Sequence, residues 1–241
     1  MFSPPGAALE RGWPGRLDGD RVVQLAAQTL PSFFTGGGRA REHAVYALAD
    51  VTLRPPVLHP PSVRLFEAVA DGAVSAFSFR AATPVLGPDE DVPRPAGVRE
   101  LDFGLGIAAV IGAEGAIAGF TLANDWTARE LERDERGAGF GPSKSKDFAL
   151  SLGPILVTPD ELGLGGAIVA RVNGVERLRD RLERAPGWAE LVEHASRNTV
   201  LRPGDVLVRS SGGDPEGGRL RSGDVVELEA DGIGKLRSRV Q

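Results

Sequence analysis

The chain has 241 residues, no cysteine, three histidines and a formal net charge of −5. This excludes disulfides, thiolate metal sites and cysteine nucleophiles, and the mixed, slightly acidic balance argues against a nucleic-acid partner, whose binding domain would be basic. No run reaches the roughly 20 apolar residues of a membrane span and the first 15 residues lack a signal-peptide core, so the expectation is a cytoplasmic protein with no membrane partner.

Thirty-two glycines and 18 prolines cut the sequence into short pieces, which favours strands and turns over long helices. In chain order, "DRVVQLAAQTLPSFF" reads as a strand running into a short helix, inside a small N-terminal α/β piece comprising residues 1–53. A larger β-rich domain, residues 54–241, follows, so the fold class is α+β with β predominating. "SVRLFEAVADG" is read as a short helix. Asn173-Gly174 marks a turn, and "GWAELVEHASRN" places Trp188, Leu191, Val192 and Ala195 on one helical face. Pro203-Gly204-Asp205 leads into an apolar strand, and Asp231-Gly232 joins two alternating segments in a strong hairpin signal. No solenoid-length repeat is present. His43 and His59 fall in surface segments, and His194 reads as a packing or surface residue of the amphipathic helix.

The stretch "LDFGLGIAAVIG", Leu101 to Gly112, poses a question of its own. Gly104-x-Gly106-x-x-Ala109 matches a dinucleotide fingerprint, and Asp125 follows at the expected distance. Such a fingerprint needs a buried strand before it and a helix beginning inside it. The preceding "PRPAGVRELDF" is no buried parallel strand, and Gly112 and Gly115 leave no room for a helix. A phosphate turn is therefore rejected.

The next segment is more specific. The string Asn124-Asp125-Trp126-Thr127-Ala128-Arg129, then Lys144-Ser145-Lys146-Asp147-Phe148 and "SLGPILVTPDEL", closely resembles the fumarylacetoacetate hydrolase family. Weaker similarity runs through "ARVNG", "HASRNTVLRPGDVL" and "GDVVELEADGIGKLRSRV", and upstream through "LRPPVLHPPSVRLF". The resemblance implies a rolled, sandwich-like domain of mixed strands, assembled as a homodimer. It also implies chemistry on small keto-acids: hydrolysis of acylpyruvate-type bonds, decarboxylation, or isomerisation of hydroxymuconate-type dienes of aromatic catabolism. That chemistry uses Mg²⁺ or Ca²⁺ to chelate the keto-acid oxygens, held by a Glu-x-Glu pair and an Asp.

Asp125 stands at the place of that Asp. At the Glu-x-Glu positions stand Gly104 and Gly106, with the spacing undisturbed, so the glycines mark lost metal ligands. At an effective dielectric of about 20, each lost anion beside a cation removes on the order of several kcal/mol, and no bound metal cofactor is expected. Asp102 belongs to the family's ordinary lead-in and does not substitute. Restoring Glu at 104 and 106 is expected to rebuild two carboxylates beside Asp125. Leu65 aligns where some members carry a further metal-binding Asp. The segment "LFEAVADGAVSAFSFRA" lacks the His of the hydrolytic members, and "VRSSGGDPEGG" replaces the Gly-Thr turn that takes the substrate carboxylate, with Ser211 nearest to the missing hydroxyl.

Lys144 aligns best with the family's substrate-binding lysine, and Lys146 is the alternative; both are residual catalytic candidates. Asp125 is either a residual metal ligand or a side chain capping its turn, and Arg129 is expected to pair with the acids of "ELERDER". Two functions stay open. One is a degenerate member with impaired or lost catalysis, which binds a small-molecule carboxylate or acts as a regulatory subunit, possibly a heteromer with an intact paralogue. The other is an active keto-acid hydrolase, decarboxylase or isomerase.

Overall fold

The apolar run beyond Phe103 forms the middle of the molecule. Leu105–Ile111 is a strand buried along its whole length, in a computed structural model that describes all residues except 8, 68–76, 83, 164–165, 183–186 and 215–218. Its odd-numbered residues, with Leu105, Ile107 and Ile111 among them, face a large core cluster, while Ala108 and Val110 face a smaller one. A strand covered on both faces carries no polar alternation, which is why its sequence reads as a continuous apolar run.

Ile117–Asn124 pairs antiparallel on one side of this strand and Val206–Ser210 on the other. Leu150–Val157 and Val85–Leu86 extend one flank, and Val63–Glu67 and Phe77–Arg80 the other, giving a seven-stranded sheet. A five-stranded sheet contains Ala167–Val172, Val175–Arg181, Val225–Ala230, Gly234–Val240 and Asp91–Val92. Residues of both sheets, Leu122 and Leu207 from one and Ile168 and Leu228 from the other, form the large cluster, so the core is the layer between two curled sheets. The predominantly β, α+β fold expected from composition is the one observed. The dinucleotide reading stays rejected: Gly106 lies inside an antiparallel strand, and only a short 3₁₀ turn, Ala113–Gly115, follows it.

The hairpin signals are realised. Asn173 and Gly174 both adopt positive φ, 50° and 80°, in the two-residue connection between paired strands. Asp231–Ile233 links Val225–Ala230 to Gly234–Val240. The helix read in "GWAELVEHASRN" is Trp188–Ser196, with Leu191 and Ala195 buried. His194 sits on it with its ring against Phe66 and Phe77. The N-terminal piece is a three-stranded sheet of Gly15–Asp18, Arg21–Leu25 and Glu42–Ala47, with the helix Leu30–Thr35 capped by Thr29.

Two elements differ from expectation. "SVRLFEAVADG" does not begin as a helix: Val63–Glu67 is a strand, parallel to Val206–Ser210, and residues 68–72 lie outside the described ones. Both its faces are buried, Leu65 in the small cluster and Phe66 in the large one, and this sheet environment overrides the helical pattern. The second is an unanticipated helix, Arg129–Gly137, whose only fully buried residue is Glu132. Leu131 is its one apolar side chain, and a single apolar residue makes no period to read.

Candidate functional site

The ends of four adjacent strands build one wall of a polar cavity. In register across the sheet lie Glu67, Ser210, Gly106 and Ala123. Just beyond the sheet edge the chain places Gly104 and Asp125, and the cavity there has a volume of about 350 Å³. The Arg129–Gly137 helix supplies the facing wall. Arg129, Glu132 and Arg136, spaced three and four apart, share one helical face and all line the cavity.

Lysine placement is decided by a neighbouring acid. Glu135, on the same helix, accepts hydrogen bonds from the backbone N–H groups of Ser143 (2.9 Å) and Ser145 (3.1 Å) and from the Ser145 hydroxyl (2.6 Å). That pins the Lys144–Lys146 3₁₀ turn with one lysine out and one in. Lys144, best aligned with the family lysine, has a side chain 77% exposed and pairs with Asp147, outside the cavity. Lys146 is the buried one and lines the cavity, donating to Asp125 Oδ2 (2.5 Å) and Thr127 Oγ1 (2.7 Å). Glu132 lies 3.8 Å from the same ammonium. Spacing within "KSKD" could not tell the two lysines apart; the Glu135 anchor does.

Asp125 is engaged on both sides. Besides Lys146, the Arg80 guanidinium stands 2.6 Å from Asp125 Oδ1, a charge contact rather than an aimed hydrogen bond. Burial alone would push the Asp125 carboxyl up, but Arg80 and Lys146 outweigh it and hold the group below the usual carboxylate range. Asn124 instead ties the two strand ends together, its Oδ1 accepting from the Gly104 N–H at 2.9 Å. Arg80 and Glu67 were not singled out in the sequence: they flank a segment notable there only for its missing His. Leu65 is buried among aliphatic side chains and offers no ligand.

A ladder of ion pairs continues from this centre. Arg129 pairs with Glu132 (2.6 Å), as expected of the "ELERDER" acids, and also with the buried Asp102 (2.7 Å). Arg136 bridges Glu67 (2.6 Å) and Glu132 (3.3 Å). Burial would raise the Glu132 carboxyl, yet Lys146, Arg129 and Arg136 together lower it. At Asp102 the balance is reversed, and burial keeps the group above its ordinary value despite Arg129. Ser211 lines the cavity and its hydroxyl is bonded to Asp180. Of its "SSGGDPEGG" segment, residues 215–218 lie outside the described ones.

The glycines are close approaches of backbone to neighbour. A Cβ on Gly104 would stand 2.8 Å from both the Cβ and the carbonyl oxygen of Asp125. One on Gly106 would meet the carbonyl oxygens of Arg209 (3.0 Å) and Ala123 (3.2 Å). Gly104 lies just outside the Leu105–Ile111 strand, with Asp125 packed directly against it. A Glu at 104 therefore cannot simply be added beside Asp125, which corrects the expected effect of that restoration.

A hard divalent cation takes about six or more oxygen donors, rich in carboxylate. Beside Asp125, Gly104 and Gly106 bring no side chain, and the Asp125 carboxylate is already paired with two cations. Among the described residues no group of three or more His, Asp or Glu side chains is arranged to hold a metal ion. This donor set does not fit Mg²⁺ or Ca²⁺. No helix among the described residues is long and apolar enough to cross a membrane.

Comparison with known proteins bears on the whole arrangement. Residues 66–241 match the family model described as fumarylacetoacetate (FAA) hydrolase C-terminal. An uncharacterized protein of Methanocaldococcus jannaschii is 32% identical over 175 residues, 68% of this chain and 71% of that protein. A mitochondrial oxaloacetate tautomerase of Bos taurus is 29% identical over 180 residues, 66% of this chain and 56% of that protein. The structure of 5-carboxymethyl-2-hydroxymuconate delta-isomerase from Mycobacterium smegmatis superposes with a TM-score of 0.77 at 26% identity, over 99% of this chain and 97% of the other. The fold is shared also with fumarylacetoacetate hydrolase of Exiguobacterium antarcticum, TM-score 0.83 at 23% identity, over 100% and 97% of the two chains.

Proposed function

The chain belongs to the fumarylacetoacetate hydrolase family, and from that premise we propose a member that works without the family's divalent cation, with keto-acid catalysis impaired or lost and a cavity that binds a small keto-acid-type carboxylate. One observation carries this reading: Asp125, the surviving aligned carboxylate, is neutralised from within by Arg80 and Lys146. A cation arriving there would have to displace two fixed positive charges and would find glycines in place of the other ligands.

Binding of a carboxylate is supported by the donors that face the cavity. The Lys146 ammonium has three hydrogens, of which two go to Asp125 and Thr127. Glu132 at 3.8 Å is beyond hydrogen-bond distance, and among the described residues no other acceptor takes the third hydrogen, which can go to a ligand oxygen. At the mouth, Arg136 is half-exposed, and a ligand carboxylate can compete with Glu67 for it. The remaining ladder is balanced: Asp102 and Glu132 hold Arg129, which limits the site to one small anion rather than a polyanion.

Titration calorimetry tests both parts. Pyruvate or oxaloacetate in the presence of EDTA is expected to bind, and Lys146→Met to abolish that binding while Lys144→Ala retains it. Mg²⁺, Mn²⁺ and Ca²⁺ are expected to give no stoichiometric heat. A one-to-one metal site of micromolar affinity that disappears in Asp125→Ala, or metal-stimulated oxaloacetate tautomerisation or acylpyruvate hydrolysis, overturns the proposal in favour of an active enzyme. The proposal includes a homodimer, because closed two-fold assemblies are the commonest oligomers. A monomer by light scattering rejects that part, and co-purification with an intact paralogue would replace it by a heteromeric subunit role.

A further inference from the structure

Arg80 lies behind the site and does not line the cavity. It ends the edge strand Phe77–Arg80, and its side chain is 2% exposed. Nη2 reaches the carbonyl oxygens of Trp126 (3.5 Å) and Ala149 (3.4 Å) at the limit of hydrogen bonding, and Nε and Nη1 have no partner among the described residues. A guanidinium buried this way is costly, because desolvation is not repaid by aimed hydrogen bonds. Burial lowers its pKa, with Asp125 the leading influence the other way, but an arginine stays charged across the physiological range. Asp125 is the one carboxylate within ion-pair distance of it among the described residues. The arrangement is thus a line of alternating charge, Arg80–Asp125–Lys146, running from the interior to the cavity floor.

We propose that Arg80 is a built-in substitute for the divalent cation: a permanent positive charge behind Asp125 that balances this carboxylate and holds it aimed at Lys146, which in turn presents its third hydrogen to the cavity. Arg80 is a positioning residue in this scheme, acting on a ligand only through Asp125 and Lys146. The inference rests on the metal-independent reading above and deepens it. Gly104 fits the same arrangement, because the absence of its side chain lets Asp125 sit where the charge line needs it.

Charge compensation predicts a coupling that a merely structural tie would not show. Arg80→Met leaves Asp125 with Lys146 alone, and Asp125→Asn leaves Arg80 as an unpaired buried cation. Each is expected to lower the melting temperature in EDTA at neutral pH by about 10 °C. Arg80→Met/Asp125→Asn removes both charges while the Asn oxygen still accepts from Lys146, so it should melt well above the sum of the two losses. Arg80→Lys should keep most of the wild-type stability, because it retains the positive charge behind Asp125. Additive losses in the double variant, or an Arg80→Lys variant as unstable as Arg80→Met, overturn the inference. If Arg80→Met gives no soluble protein, the double variant decides: cooperative melting supports charge compensation, and failure to fold overturns it. A one-to-one metal site on the wild type would sink the parent reading, whereas additivity without metal binding sinks this inference alone.

Discussion

The floor and the mouth of the cavity contain ion pairs of nearly the same length and opposite consequence. On the floor, Arg80, Asp125 and Lys146 have side chains 2%, 2% and 4% exposed, with contacts of 2.6 and 2.5 Å. At the mouth, Arg136 and Glu67 are 49% and 39% exposed and 2.6 Å apart. Distance does not separate them; water does. The exposed pair is screened and loses side-chain entropy, so it contributes about 0–1 kcal/mol, whereas breaking a buried pair strands a desolvated charge at about 3–5 kcal/mol. The floor is therefore committed to the fold, and the mouth is where a ligand can exchange partners without unfolding anything.

The largest effect that can break this contrast is Asp125→Ala, which strands both Arg80 and Lys146. Its expected cost is about 3–5 kcal/mol, read as a lowered urea midpoint at unchanged slope. The same pair has an acid signature. Asp125 and Glu132 are held below their unfolded values, so the unfolded chain takes up protons first as pH falls. Their contribution is present at neutral pH and is lost as pH drops below about 5, with the raised Asp102 opposing it in part. Asp125→Ala should flatten this loss; a midpoint curve falling as steeply as in wild type would remove the floor from the account.

Gly104→Ala is the intermediate case. Its Cβ would press on Asp125 Cβ and the Asp125 carbonyl at 2.8 Å, and backbone gives little, so a loss of about 1–3 kcal/mol by chemical denaturation is expected. A neutral or stabilising result would mean that Asp125 is not held by close contact with Gly104. Glu67→Gln is the smallest. It should change stability by less than about 1 kcal/mol and become indistinguishable from wild type in added salt, while tightening carboxylate binding, because Glu67 no longer competes for Arg136. A loss as large as that of Asp125→Ala would erase the distinction between floor and mouth.

Much of the framework was readable without coordinates. The Asn173-Gly174 and Asp231-Gly232 hairpins and the Trp188–Ser196 helix all follow local rules of turn geometry and periodicity. So did the family motif around Asn124–Arg129, because a run of specific residue types at fixed spacing is written in the chain itself. The misread and unread elements have nonlocal causes. Val63–Glu67 is a strand because Val206–Ser210 lies beside it, and the Arg129–Gly137 helix carries charge on its cavity face, leaving no apolar stripe.

The sequence by itself determined the β-rich fold class and the family, since each is written in residue type at short range. Tertiary structure decided which charges meet. Arg80 and Asp125 are 45 positions apart, and Lys146 rather than Lys144 turns inward only because Glu135 holds the loop between them and the helix. Electrostatic partners are chosen by proximity and by the exclusion of water, and both quantities exist only once the strands have brought distant residues to one end of a sheet.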